Sequence, residues 1–180
     1  MNKTVLITGA SRGIGRACAL LFAAQGYNGA INSHANEKAA QEVRGEIISN
    51  GSSAEIFRAD VSEERAVFDM ITAVNARFGR VNVLVANAGE SLIKQINYTT
   101  AAEWDRLFAV NAGGVINAVL AVLPDMIDRK NGRIITVSSV WGEVGASCEV
   151  AYSASKAAVI GYTKALAKEL APSGITVNCV

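Results

Sequence analysis

Short runs of β-branched and apolar residues alternate with longer stretches of helical periodicity along the whole chain. Strand candidates lie at 4–8 (TVLIT), 29–32 (GAIN), 54–59 (AEIFRA), 81–86 (VNVLVA), 133–138 (RIITVS) and 175–180 (ITVNCV). Helical patterns fill the intervals at 14–25, 37–50, 63–78, 101–129 and 151–171. Strict alternation requires crossover connections, which run a parallel sheet between two layers of helices. The strands are apolar almost throughout rather than at every second residue, as a sheet covered on both faces requires. The expectation is one α/β domain over residues 1–180, a doubly wound parallel sheet in three α/β/α layers. A chain of this length buries roughly 70% of its unfolded surface, enough for a single core on each face.

Charge narrows the classes of partner. Seventeen basic against sixteen acidic residues leave a formal net charge of +1, which gives no electrostatic reason for nucleic acid or an anionic membrane surface. The start runs into a strand after Met1-Asn2-Lys3, without the apolar stretch of a secretory signal. The longest apolar region, 112–123, is interrupted by Asn117 and is shorter than the ~20 residues of a membrane span. Cys18, Cys148 and Cys179 are odd in number, far apart and without metal-ligand spacing, so they read as reduced thiols of a cytoplasmic protein with no metal site. Cys148 reads as a small buried filler. His34 is the only histidine, reads as a solvated loop residue, and leaves none for a Ser-His-Asp triad. Two helical segments, 110–123 and 157–167, are apolar or small on nearly all faces. A helix covering a sheet needs one apolar stripe, so the second face implies a second partner, a homodimer or homotetramer packed through these helices.

The segment 8–15 (TGASRGIG) sits between the first strand and the first helix. Gly9 suits the tight turn, Gly13 lets backbone approach a pyrophosphate, and Gly15 lets the helix press on the strand. The helix start then offers free N–H groups and partial positive charge to phosphates. A second pattern is 152–156 (YSASK), which puts Tyr152 and Lys156 on one helical face with only small residues between. A phenol of pKa near 10 is a poor acid catalyst at neutral pH, and lowering it by about three units takes roughly 4 kcal/mol. A neighbouring ammonium supplies part of that preference for phenolate.

The three-residue gap between the first two glycines belongs to the short-chain dehydrogenase/reductase family, which this sequence resembles from end to end. The matching residues are Thr8-Gly9, Gly13-Ile14-Gly15, Asp60-Val61, Asn87-Ala88-Gly89, Asn111, Ser139, Tyr152 and Lys156. The resemblance implies a Rossmann-type fold and a nicotinamide dinucleotide held by Gly9, Ser11, Arg12, Gly13, Ile14, Gly15 and Ser33. It implies further contacts from Asp60 and Val61 at the adenine, from Asn87, Ala88 and Gly89, and from Tyr152 and Lys156. Tyr152 is then the general acid that protonates a substrate carbonyl, and Lys156 lowers its pKa and bonds the ribose. Ser139, in preference to Ser138, orients the carbonyl, and Asn111 interrupts its helix and joins a proton relay to the lysine. The family often has Asn where Ala86 stands. In 32–36 (NSHAN) no carboxylate awaits a ribose 2′-OH, while Arg12 could pair with a 2′-phosphate, so NADP is expected over NAD.

Segments 133–145 and 152–180 are most similar to the branch that reduces 3-oxoacyl groups on acyl carrier protein, which implies a small or carrier-bound carbonyl substrate. Residues 141–150 also resemble a sister branch that reduces an aminopentanone group on a translation elongation factor. Family members continue beyond a sixth strand with a loop and helix over the substrate, so this part of the fold is expected to lie outside the 180 residues. A cofactor-binding but inactive protein is the alternative from another class. A methyltransferase would have no use for Tyr152 and Lys156.

Overall fold

The computed structural model describes residues 2–180 and contains six strands and seven α-helices among them. The strands are β1 (Thr4–Ile7), β2 (Asn28–Ser33), β3 (Ala54–Arg58), β4 (Val81–Ala86), β5 (Gly132–Thr136) and β6 (Ile175–Cys179). They form one sheet in the order β3-β2-β1-β4-β5-β6, and every pairing is parallel. The expected doubly wound α/β/α arrangement is therefore present. Chain order reverses at β1, whose neighbours are β2 and β4, and this opens a crevice at the carboxyl ends of those strands.

One face of the sheet packs on α1 (Gly13–Ala24) and α2 (Glu37–Ser49), with Val5, Ile7, Ile31, Val43, Ile47 and Val85 inside. The other carries α3 (Glu64–Phe78), α5 (Gly114–Asp128) and α7 (Val150–Leu170) over Leu6, Leu84, Ile134, Val159 and Leu166. Ile7, Ile31, Leu6 and Leu84 are all fully buried. Burial of each such side chain contributes about 1.5–3 kcal/mol. Local signals start the helices: the Asn36 side chain accepts from the Ala39 N–H ahead of α2, and Thr100 and Glu103 form a reciprocal capping box on α4 (Ala101–Phe108).

The helical stretch 101–129 is where sequence and structure differ most. It divides into α4, a π turn at Ala109–Gly113, and α5. A π turn adds a residue without breaking the apolar pattern, so periodicity reads straight through it. Within the 28-residue helical run Ala101–Asp128, an 18-residue window reaches a mean hydropathy of 1.8, enough by length and composition alone to cross a bilayer. The apolar stretch is therefore longer than residues 112–123, and a buried core helix has the same composition. In the fold, the run packs Val115, Val119, Val122 and Met126 into the core, and the Asn117 amide donates to Val61 C=O at 2.9 Å.

Smaller corrections concern the segment after β5. The strand stops at Thr136 rather than Ser138, although Val137 and Ser138 still donate to Ala86 C=O and Val180 C=O. A short helix, α6 (Trp141–Val144), follows. Cys148 is half-buried at φ +62°, not a core filler, and its carbonyl accepts from the Lys94 N–H at 2.6 Å. The unfavourable φ turns that carbonyl toward the segment after β4.

Candidate active site

The glycine loop is locked to the turn after β4. Thr8 Oγ1 accepts from the Asn87 and Ala88 N–H groups, both at 3.0 Å. The Asn87 amide donates back to Thr8 C=O at 2.9 Å and Gly9 C=O at 3.2 Å. Space here permits only glycine. Gly9 has φ +64° and a Cβ on it would sit 2.9 Å from Ala88 Cα; a Cβ on Gly15 would sit 2.5 Å from Gly9 O. Asn32 ties the same loop to the neighbouring strands, since its Oδ1 accepts from the Gly9 N–H and its amide donates to Phe57 C=O and Ala59 C=O.

Above this loop lies a cleft of ≈ 610 Å³. Its walls come from Arg12 and Gly13 of the loop, Ser33 at the end of β2 and His34 just beyond it, Asp60 after β3, and Gly89 after β4. Ser11, Ile14, Val61, Asn87 and Ala88 also face it, so of the expected dinucleotide-binding residues outside α7 only the tightly packed Gly15 does not. A Cβ on Gly13 would meet no described atom within 4 Å, and no side chain caps the start of α1. Backbone N–H groups and helix dipole thus face open space, and this fits a pyrophosphate. The cleft volume lies within the usual range for ligand sites, about 300–1,000 Å³.

Lys156 and Asn111 stand behind Gly89, which lines the cleft, whereas Asn111, Tyr152 and Lys156 themselves are not among its lining residues. A Cβ on Gly89 would stand 3.2 Å from Asn111 Oδ1 and 3.4 Å from Lys156 Nζ. Lys156 is buried, its Nζ donates to Val137 C=O at 2.9 Å and lies 5.8 Å from the centre of the Tyr152 ring. Burial holds the Lys156 ammonium below its ordinary pKa, with nearby Cys179 acting in the opposite direction. Two of its three N–H donors remain for a ligand. Tyr152 is half-buried on the same face of α7.

Asn111, in the π turn, is fully buried. Its Oδ1 accepts from the Glu90 N–H at 2.8 Å, and its amide donates to Glu90 C=O at 2.9 Å and Ser155 Oγ at 3.0 Å. Ser155 in turn donates to Tyr152 C=O at 2.7 Å. The side chain is thus a clamp between the turn after β4 and the helix bearing Tyr152. Ser138 and Ser139 divide differently. Ser138 Oγ donates to Lys156 C=O at 2.9 Å, so its proton is committed. Ser139 Oγ accepts from the Trp141 N–H at 3.2 Å, and its proton is left for another acceptor. Ser139 borders a second hollow of ≈ 340 Å³ at the ends of β5 and β6.

Arg106 and Glu90, which nothing in the sequence alone marks out, line the same cleft. Arg106 bridges Asp60 and Glu90, with Nη1 3.0 Å from Asp60 Oδ2 and Nη2 2.9 Å from Glu90 Oε1. Burial alone would raise the Asp60 pKa, but hydrogen bonds from Ser62 and Arg106 together hold it below the usual carboxylate value. His34 is exposed as expected, yet stands on the cleft wall with Nδ1 3.6 Å from Asp60 Oδ2. Lys94 pairs with both Glu103 carboxylate oxygens, and with the Thr100 cap this lowers Glu103 to about 2. That contribution to the loop is present above the ordinary carboxylate pKa and is lost as pH falls toward about 2. Among the described residues, no three His, Cys, Asp or Glu side chains converge as metal ligands.

A glycine-rich strand-to-helix turn at the switch point, backed through Gly89 by a lysine on a helix that also carries a tyrosine, is the arrangement of a dinucleotide-dependent oxidoreductase. The model of the short chain dehydrogenase family matches residues 3–180, and the chain belongs to that family. It is 42% identical over 180 residues to the 3-oxoacyl-[acyl-carrier-protein] reductase FabG of Staphylococcus epidermidis, covering all of this chain and 74% of the relative. It is 40% identical over 181 residues to an uncharacterized oxidoreductase of Bacillus subtilis, again covering 74% of that protein. Among solved structures, a metagenomic short-chain oxidoreductase in complex with NADP superposes with a TM-score of 0.94 at 34% identity, over 98% of this chain and 79% of the other.

Proposed function

We propose that the protein is an NADP-dependent reductase that converts a carbonyl to a secondary alcohol, with a 3-oxoacyl thioester as substrate. The observation that carries this reading is the convergence of Lys156 and Asn111 on Gly89, a lining residue of the dinucleotide cleft. When bound, the reduced nicotinamide supplies a hydride to the carbonyl carbon. Ser139 donates its uncommitted proton to the carbonyl oxygen as charge gathers there. Tyr152 transfers the phenolic proton to that oxygen, and in the reverse direction takes it back. Lys156 keeps positive charge beside the phenol and offers its two remaining N–H groups to the ribose. Asn111 positions the Glu90 turn and α7, and takes the family's relay role toward Lys156. The 3-oxoacyl substrate is supported by the 42% identity to a reductase of that class over the full chain.

NADP is favoured over NAD by the residues after β2. Ser33, His34, Ala35 and Asn36 line the cleft without a carboxylate, and Arg12 faces them from the glycine loop. With a 3-oxoacyl thioester, kcat/KM for NADPH is expected to exceed that for NADH by at least tenfold, as one lost charge-assisted phosphate contact of about 1.5–3 kcal/mol would produce. Equal values for the two coenzymes would overturn the assignment.

The homodimer expected from sequence has a surface to match. Along α5, Ile116, Leu120 and Ile127 are exposed, and α7 exposes Ala157, Ala158, Gly161 and Ala165. Small residues allow a second copy's helix to approach closely, and Ile and Leu supply the apolar area. Light scattering at micromolar concentration is expected to return at least twice the chain mass of 18.8 kDa; a monomer would refute this assembly.

A further inference from the structure

Arg106 closes a charge network in which the coenzyme reading gives a role to Asp60 alone, at the adenine. It stands near the end of α4, and its Nη1 donates to Asp60 Oδ2 and Ser62 Oγ, both at 3.0 Å. Its Nη2 donates to Glu90 Oε1 at 2.9 Å. Glu90 is pinned at its backbone by Asn111, so the guanidinium joins two fixed turns, one after β3 and one after β4. Asp60, Glu90 and Arg106 all line the ≈ 610 Å³ cleft, where the other charged or titratable side chains are Arg12 and His34. Two carboxylates therefore stand on the wall of a cleft that must receive several phosphate charges. A partly enclosed wall focuses that repulsion.

We propose that Arg106 is a positioning residue of the coenzyme site, holding the Asp60 and Glu90 carboxylates together and offsetting their charge so that a phosphate-rich dinucleotide can enter. The inference rests on the NADP reading above. Counting formal charges, the triad carries −1: two carboxylates and one guanidinium. Arg106→Gln makes it −2, Glu90→Gln makes it 0, and the double variant returns it to −1. A purely structural tie would be broken by Arg106→Gln and weakened by Glu90→Gln, whose amide oxygen accepts without charge, so neither variant would bind more tightly. Charge compensation requires opposite signs.

The test is NADPH affinity by fluorescence titration at fixed pH, with the melting temperature of each unliganded variant recorded alongside. Arg106→Gln is expected to raise Kd for NADPH about tenfold, an effect of the size that one uncompensated charge near several phosphates produces at low salt. Glu90→Gln is expected to bind about two- to threefold tighter than wild type, and the double variant to fall within about threefold of wild type. The loss in Arg106→Gln should shrink as NaCl is added and be smaller for NADH, which lacks the 2′-phosphate. Glu90→Gln that leaves NADPH affinity unchanged or weakens it, or a double variant no better than Arg106→Gln, overturns the inference. The Glu90→Gln result alone decides the sign if Arg106→Gln does not fold. A wild-type protein that binds no NADPH removes the coenzyme reading and this inference together, whereas wild-type binding without the charge order removes this inference alone.

Discussion

Tyr152→Phe is expected to lower turnover of a 3-oxoacyl thioester by roughly a thousandfold, within the usual range for loss of a general acid, while NADPH affinity stays within a few-fold of wild type. The substitution removes one oxygen from a half-buried ring on α7. The ring stays beside Lys156, whose Nζ lies 5.8 Å from its centre and keeps its bond to Val137 C=O. Asn111 and Ser155 hold α7 through Tyr152 C=O, which the change leaves intact. Binding and chemistry should therefore separate, kcat falling and Kd remaining. Turnover close to wild type would show that the proton comes from elsewhere.

Gly15→Ala is expected to act earlier, on the fold and the coenzyme loop together. Its new methyl group would lie 2.5 Å from Gly9 O and 2.6 Å from Asn87 Nδ2. Neither neighbour can give way cheaply: one is backbone, and the other is the amide that staples the glycine loop to the turn after β4. Overpacking of this kind costs about 3 kcal/mol, which in a chain of this size lowers Tm by about 6–12 °C. NADPH titration should at the same time find affinity reduced at least tenfold, because the loop cannot move without carrying its N–H groups away from the phosphates. A variant with the wild-type melting temperature and affinity would mean that the loop is looser than its hydrogen bonds indicate.

Much of this was legible in sequence because it rests on local rules. Alternating apolar runs required crossovers, and the spacing of Gly9, Gly13 and Gly15 marked the loop that now closes on Asn87. The four-residue interval from Tyr152 to Lys156 needed only helical geometry. What escaped depends on contacts distant along the chain or on departures from regular backbone. Arg106 meets Asp60 across 46 positions and Glu90 across 16, and Arg106 and Glu90 look like ordinary surface charges until β3, β4 and α4 are brought together. The π turn around Asn111 leaves the apolar pattern undisturbed, so 101–129 read as one helix. The apolar pattern runs on through Val137, and Val137 and Ser138 keep strand-like hydrogen bonds, so the end of the regular β5 ladder at Thr136 leaves no mark in the sequence. Cys148 was read from its size and polarity, whereas its left-handed φ serves a backbone bond to Lys94.

The central claim is that hydride passes from a dinucleotide in the cleft to a carbonyl held beside Tyr152, Lys156 and Ser139. Incubating the protein with a 3-oxoacyl thioester and NADPH carrying deuterium at nicotinamide C4, each C4 epimer in turn, tests it most directly. Mass spectrometry of the product should find one deuterium on the new carbinol carbon with one epimer and none with the other. NADPH that binds but is never oxidised, or product without the label from either epimer, would contradict the account.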